Sequence, residues 1–95
     1  MDKSIHSKQN AILLKILSRM RTEAGITQTQ LADKLEMTQS AYSKLERGEL
    51  RIDLVQLRTI LLAIGGSLGE FVTHFETELC QSLTSSKRKP KSNGG

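Results

Sequence analysis

The stretch 27–48, TQTQLADKLEMTQSAYSKLERG, decides the fold, because it spells two short helices set against each other across a tight turn. Thr27 carries a hydroxyl able to cap a helix, and Gln30 stands three residues on as the returning partner of a capping box, so a helix begins near Gln28. Leu31, Ala32 and Leu35 form its apolar stripe, while Gln28, Asp33 and Lys34 take wetter faces. Glu36 and Met37 interrupt the pattern. Thr38 offers a second cap, ahead of a helix that carries Tyr42 and Leu45 inward and Gln39, Ser40, Ser43, Lys44 and Arg47 outward. Gly48 stops it, as the residue best suited to a left-handed position after a helix. Helices this short are marginal alone, since nucleation fixes several dihedrals for the first hydrogen bond, so tertiary packing must hold them. The small Ala32 lets the second helix approach closely.

Upstream, Leu13, Leu17, Met20 and Ala24 form one stripe of a first helix, widened by Ile12, Leu14 and Ile16. Ser4 and Ser7 bracket the positions where it can begin, and Gly25 ends it. Eighteen residues of helix would be about 27 Å long, so its early turns should meet something besides the two central helices. Ile26 stands where it can staple the helix that Thr27 caps. Downstream, Asp53 caps a fourth helix, with Gln56 three residues later, and Leu54, Leu57, Leu61 and Ile64 fall on one face with Ile60 beside them. Gly65 and Gly66 close it. Ser67 and Glu70 repeat the capping-box pattern and open a fifth helix with Leu68, Phe71, Val72, Phe75, Leu79 and Leu83 as its apolar residues. From Thr84 onward, TSSKRKPKSNGG has no apolar side chain to offset the entropy of ordering. The predicted organisation is a polar N-terminal extension over 1–9, an all-α five-helix domain over 10–83, and a flexible, disordered basic tail over 84–95.

At 95 residues the chain holds one domain at most. Its aromatic residues are Tyr42, Phe71 and Phe75, so the core must be Leu and Ile, which favours a helical bundle. A single Cys allows no internal disulfide, and with two His it completes no metal set, so a reducing compartment, no metal and no cofactor are expected. Cys80 is read as packing. No apolar run reaches the roughly 18 residues of a membrane span, and no signal-type segment opens the chain, so a cytoplasmic protein with no membrane partner is expected. The formal charge of +4 is unevenly spread: residues 87–91 carry four Lys/Arg and no acid, while 67–86 carry three Glu and no Lys/Arg.

The words LSRMR, GITQTQLADKLEMTQ, SKLERG and LVQLRTILLAIG, in this order, resemble the Cro and phage-repressor helix-turn-helix family, the XRE-like DNA-binding proteins. The resemblance runs from about Leu17 to Leu68 and implies a lambda-repressor-like fold. Three positions depart from the pattern. Glu36 stands where the family commonly has Gly, which costs about 1 kcal/mol if the turn keeps a positive φ, or else the turn takes another shape. Tyr42 replaces an aliphatic residue, and a buried phenol needs a hydrogen-bond partner, the alternative being a place at the rim. Ile52 stands where the family often has Pro.

The resemblance also implies roles. Gln28 would clamp DNA backbone at the start of the first motif helix, and Thr38, Gln39, Ser40, Ser43 and Lys44 would meet the major groove at and beyond the start of the second. Gln suits the N6/N7 edge of adenine and Lys the O6/N7 edge of guanine. Arg47 and Arg51 would hold flanking phosphates, and Arg21 and Glu46 would form an ion pair that fixes how the helices dock. The tail's KRKPK adds charge that double-stranded DNA would attract, the equal alternative being a run that only aids solubility. Phe71, Phe75 and Leu79 continue an apolar stripe beyond the family's core, and a stripe left in water is unusual for a monomer. It is read as the interface of a homodimer, since two recognition helices related by a twofold axis read two half-sites. The alternative partner is the first helix of the same chain, around Ile12 and Ile16. The function expected is a sequence-specific DNA-binding transcription regulator, a repressor-type protein occupying an operator. The alternative is an antitoxin or adaptor that uses the same fold to hold a protein partner, a toxin or another regulator. No nucleophile, base and orienter are brought together by the sequence, and His74 and Cys80 sit roughly 120° apart around the fifth helix, so no enzyme is expected.

Overall fold

The computed structural model describes residues 3–87, with side chains over 8–82. Five helices follow one another: α1 (Lys3–Glu23), α2 (Gln28–Lys34), α3 (Gln39–Glu46), α4 (Leu54–Ala63) and α5 (Leu68–Lys87). The local signals act where they stand. Thr27 Oγ1 accepts from the Gln30 amide at 3.0 Å while the Gln30 side chain accepts from the Thr27 amide at 2.9 Å, closing a reciprocal capping box. Thr38 accepts from the Ala41 amide, Asp53 from that of Gln56 and Ser67 from that of Glu70.

Two helix ends set the angles that matter for the central pair. After α2, Glu36 takes φ 59°, and the amides of Glu36 and Met37 bond back to Asp33 and Ala32 at 3.1 and 2.9 Å. This is the paired closure that usually relies on Gly, so Glu36 bears the left-handed strain and the turn keeps its shape. After α3, Gly48 takes φ 80°, and an added Cβ would stand 3.0 Å from Leu14 Cδ1. Gly48 therefore serves both the turn and the close passage of α1 over the end of α3.

The core draws Ile16 and Leu17 from α1, Leu31 and Ala32 from α2, Tyr42 and Leu45 from α3, Leu57, Ile60 and Leu61 from α4, then Ile64 and Phe71. On α1 the buried line is Ile16, Leu17 and Arg21, with Leu13 and Met20 only half-buried and Ala24 exposed. Leu54, expected inward, is 64% exposed, because the first turn of α4 overhangs the core that Leu57 and Leu61 fill.

The largest difference from expectation concerns α5. It folds back along α1 in the same chain, and Phe71 is buried to 2% exposure, with Phe75 packed on the core beside it. Lys15 and Arg19 of α1 clamp Glu78 of α5 at 3.3 and 3.1 Å. Phe71 is thus a core residue and has no surface to give a second subunit. Cys80, expected to pack, is exposed. Helix α1 starts at Lys3, inside the expected N-terminal extension, and α5 continues to Lys87, past the expected start of the tail. Residues 88–95 of that tail, and the side chain of Leu83, lie outside the described residues. No single helix is long and apolar enough to cross a membrane among the described residues.

Candidate nucleic-acid interface

Helix α3 has two faces with separate duties. Tyr42 and Leu45 are buried, and Gln39, Ser40 and Lys44 are exposed, with Ser43 half-buried between them. Thr38 caps the helix by accepting from the Ala41 amide at 3.0 Å through its Oγ1, a bond that does not use its hydroxyl proton. The first turn of α3 reaches the start of α2 through their side chains, Gln39 Nε2 donating to Gln28 Oε1 at 3.2 Å. A helix start leaves unpaired amides and a partial positive charge, which favour phosphate nearby.

Behind this surface lies one polar hub. The Arg21 guanidinium meets the Glu46 carboxylate through two hydrogen bonds, Nε to Oε2 at 2.7 Å and Nη2 to Oε1 at 3.1 Å, and a third donor reaches the Ile26 carbonyl at 2.8 Å. The two side chains are only 11% and 6% exposed. The Tyr42 hydroxyl donates to Glu46 Oε2 at 2.6 Å, and Gln28 Nε2 donates to Oε1 at 3.0 Å. Helices α1, α2 and α3 thus converge on a single carboxylate. Tyr42 is therefore buried and satisfied, with no need of the rim.

Burial pushes the Glu46 carboxyl up, yet the hydrogen bonds from Arg21, Tyr42 and Gln28 prevail and hold it below the ordinary carboxylate range. The bond to Glu46 raises Arg21 further, and burial followed by the neighbouring carboxylate raises the Tyr42 phenol. Glu46 is consequently an acceptor only, and this fixes the orientation of the amides that neighbour it. Gln28 must turn its NH2 group inward, leaving Oε1 to accept from Gln39 Nε2 at 3.2 Å. Gln39 retains an outward oxygen and a second N–H, the donor and acceptor pair that an adenine edge requires.

Arg47 and Arg51 stand apart from this hub. Arg51 is exposed in the loop between α3 and α4. Arg47 is bound to Glu49 at 2.9 and 3.2 Å and to Ser43 Oγ at 2.6 Å, so two of the candidate DNA contacts already touch each other. Sequence reasoning missed three participants: Tyr42 as a ligand of Glu46, Gln28 as another, and Glu49 as the partner of Arg47. The i, i+4 spacing of Tyr42 and Glu46 along one helix was a usable signal for the first. Glu49 two residues past Arg47, across a glycine that reverses the chain, was one for the last.

The helix-turn-helix family profile matches residues 17–71, more than half of the chain. Among solved structures, the chain is similar to an XRE-family like protein from Pseudomonas syringae pv. tomato str. DC3000, with 34% identity, a TM-score of 0.74, and coverage of 80% of this chain and 93% of that one. It also shares its fold with the clp gene regulator ClgR from Corynebacterium glutamicum, at 21% identity and a TM-score of 0.64, covering 85% of this chain and 96% of that one. No curated protein matches the chain. With the matched segment holding both central helices, the Gly48 turn and the Arg21 to Glu46 hub, the chain belongs to the XRE-type helix-turn-helix family of DNA-binding transcription regulators.

Proposed function

We propose that this regulator recognises a specific operator by laying α3 in the major groove, with Gln39, Ser40, Ser43 and Lys44 towards base edges and Gln28 towards the flanking phosphate. The observation that carries this reading is the hydrogen-bond relay from Glu46 through Gln28 to Gln39, which ends on an exposed helix face with a fixed donor and acceptor pattern. An amide held in one orientation offers a base edge one donor and acceptor pattern, and this supports the reading. Arg51 supplies charge to the backbone from the loop after α3.

Selection of bound sequences from random duplex DNA tests the proposal. Gln39→Ala or Lys44→Ala should change base preference at one or two positions and cost about 1–3 kcal/mol on the preferred site. Gln28→Ala should weaken all sequences more evenly. Recovery of the wild-type motif at unchanged affinity by both the Gln39 and Lys44 variants would refute the groove assignment.

Operator binding by a homodimer is favoured by the small reach of one recognition helix, since two half-sites about 34 Å apart bind a linked pair far more tightly. With Phe71 in the core, the surface that α5 offers a second copy is Val72, 45% exposed, together with the half-buried Phe75 and Leu79 at i+3 and i+7. The operator should then be nearly palindromic. Val72→Glu combined with Leu79→Glu is expected to give a folded monomer that has lost most operator affinity, whereas Phe75 is left intact because it supports the core. Sedimentation of the unmodified protein as a monomer at micromolar concentration would refute the dimer.

A further inference from the structure

We infer that Glu49 is a brake on DNA affinity: it holds the Arg47 guanidinium in a neutral latch at the end of α3, so Arg47 can reach a phosphate only as half of an ion pair. The inference rests on the DNA-binding reading of α3 and adds a residue to it that sets affinity without reading bases.

The latch is built by the backbone. Gly48 at φ 80° reverses the chain, and the Glu49 amide bonds back to the Lys44 carbonyl at 2.9 Å, which swings the Glu49 side chain against the helix it has just left. There its two oxygens take Arg47 Nε at 2.9 Å and Nη2 at 3.2 Å, the parallel geometry in which guanidinium and carboxylate match best. The remaining corner, Nη1, donates to Ser43 Oγ at 2.6 Å. Three of five N–H donors are thus used, which leaves one on Nη1 and one on Nη2. Both side chains remain about half exposed, at 52% and 53%, so nothing shields the pair from an approaching duplex. A phosphate meeting those donors meets a guanidinium whose adjoining edge already carries a carboxylate. Counterion release, which supplies most nonspecific affinity, follows the charge that a protein places on the phosphates, and here that charge is cancelled. Ser43 is affected as well, since one lone pair of its oxygen is taken by the Arg47 guanidinium.

The test uses the full chain, its selected duplex and a salt titration of four variants. Glu49→Gln removes the charge while keeping the shape, and should tighten binding about fivefold. It should also steepen the logarithmic salt dependence by about 0.9. Glu76→Gln on the exposed part of α5 makes the same change in net charge away from the latch and should move affinity less than about twofold. In an Arg47→Ala background, Glu49→Gln should bring no gain. An equal gain in that background would mean that Glu49 merely repels DNA, and a gain no larger than that of Glu76→Gln would mean that net charge alone is responsible; either overturns the latch. If the wild type retained no duplex, the operator reading would fail by itself, and the latch would be decided on a heparin column. There Glu49→Gln should still elute at higher salt than Glu76→Gln, and co-elution would overturn it.

Discussion

Arg21→Ala is expected to lower the unfolding free energy by about 3–5 kcal/mol, because it strands a buried carboxylate that has lost its counter-charge. Glu46 is 6% exposed on its side chain, and Arg21 supplies two of its hydrogen bonds as well as its charge. Tyr42→Phe, which removes a single donor to that carboxylate, should cost less, about 1.5–3 kcal/mol. A cycle of Arg21→Ala and Glu46→Ala should show strong coupling, and additive losses on denaturation would mean that the two side chains do not interact. The hub also gives stability a pH dependence of known sign. The Glu46 carboxyl is held below its ordinary value in the folded protein, so the unfolded chain takes up the proton first as pH falls. Its contribution is fully present above the ordinary carboxylate range and is lost as pH drops through the lowered folded value. In Glu46→Gln that portion of the acid sensitivity should vanish, which urea unfolding at pH 7 and at pH 4 would measure.

Phe71→Ala should cost about 3–5 kcal/mol, the usual consequence of emptying a closed aromatic site. The ring is 2% exposed and sits in the cluster that α1 and α4 line. Its neighbour Val72, 45% exposed, should by contrast change stability by less than about 0.5 kcal/mol on truncation to Ala. The comparison separates two ideas about α5. A helix that served only to join two copies would make the loss at Phe71 depend on protein concentration, whereas a helix that completes the subunit gives the same large loss at any dilution. Equal, small effects at both positions would remove Phe71 from the core.

Local instructions were legible and remote ones were not. Thr27 with Gln30, Thr38, Asp53 and Ser67 announce helix starts because a cap and its amide lie three residues apart, and each is made where it was expected. The turn at Glu36 was ambiguous because its strain, about 1 kcal/mol, is small enough for packing on either side to impose it. Phe71 and Phe75 showed which face of α5 is apolar, but periodicity identifies a face and not the surface that meets it, and α1 of the same chain meets this one. The same holds for Leu54: its period placed it with Leu57 and Leu61, while the overhang of the first turn left it in solvent. At the site, Arg21 and Glu46 are 25 residues apart, so their meeting was reachable only through likeness to a family. The relay from Glu46 to Gln28 and Gln39 was beyond reach, since amide orientation is set by three helices converging on one atom pair.

The division of α3 into an anchored face and an open one bears on how such a protein can change its target. Ser40 and Lys44 make no side-chain contribution to the hub, so on the proposed major-groove reading preference at those two positions could be rewritten by substitution without renegotiating the fold. Gln39 has no such freedom, because its amide is tethered to Gln28 and through it to Glu46. Transplanting the outward residues of another regulator onto this scaffold should therefore succeed at 40 and 44 alone, but position 39 must travel together with position 28. Two lineages that diverge in operator would be expected to exchange that pair as a unit.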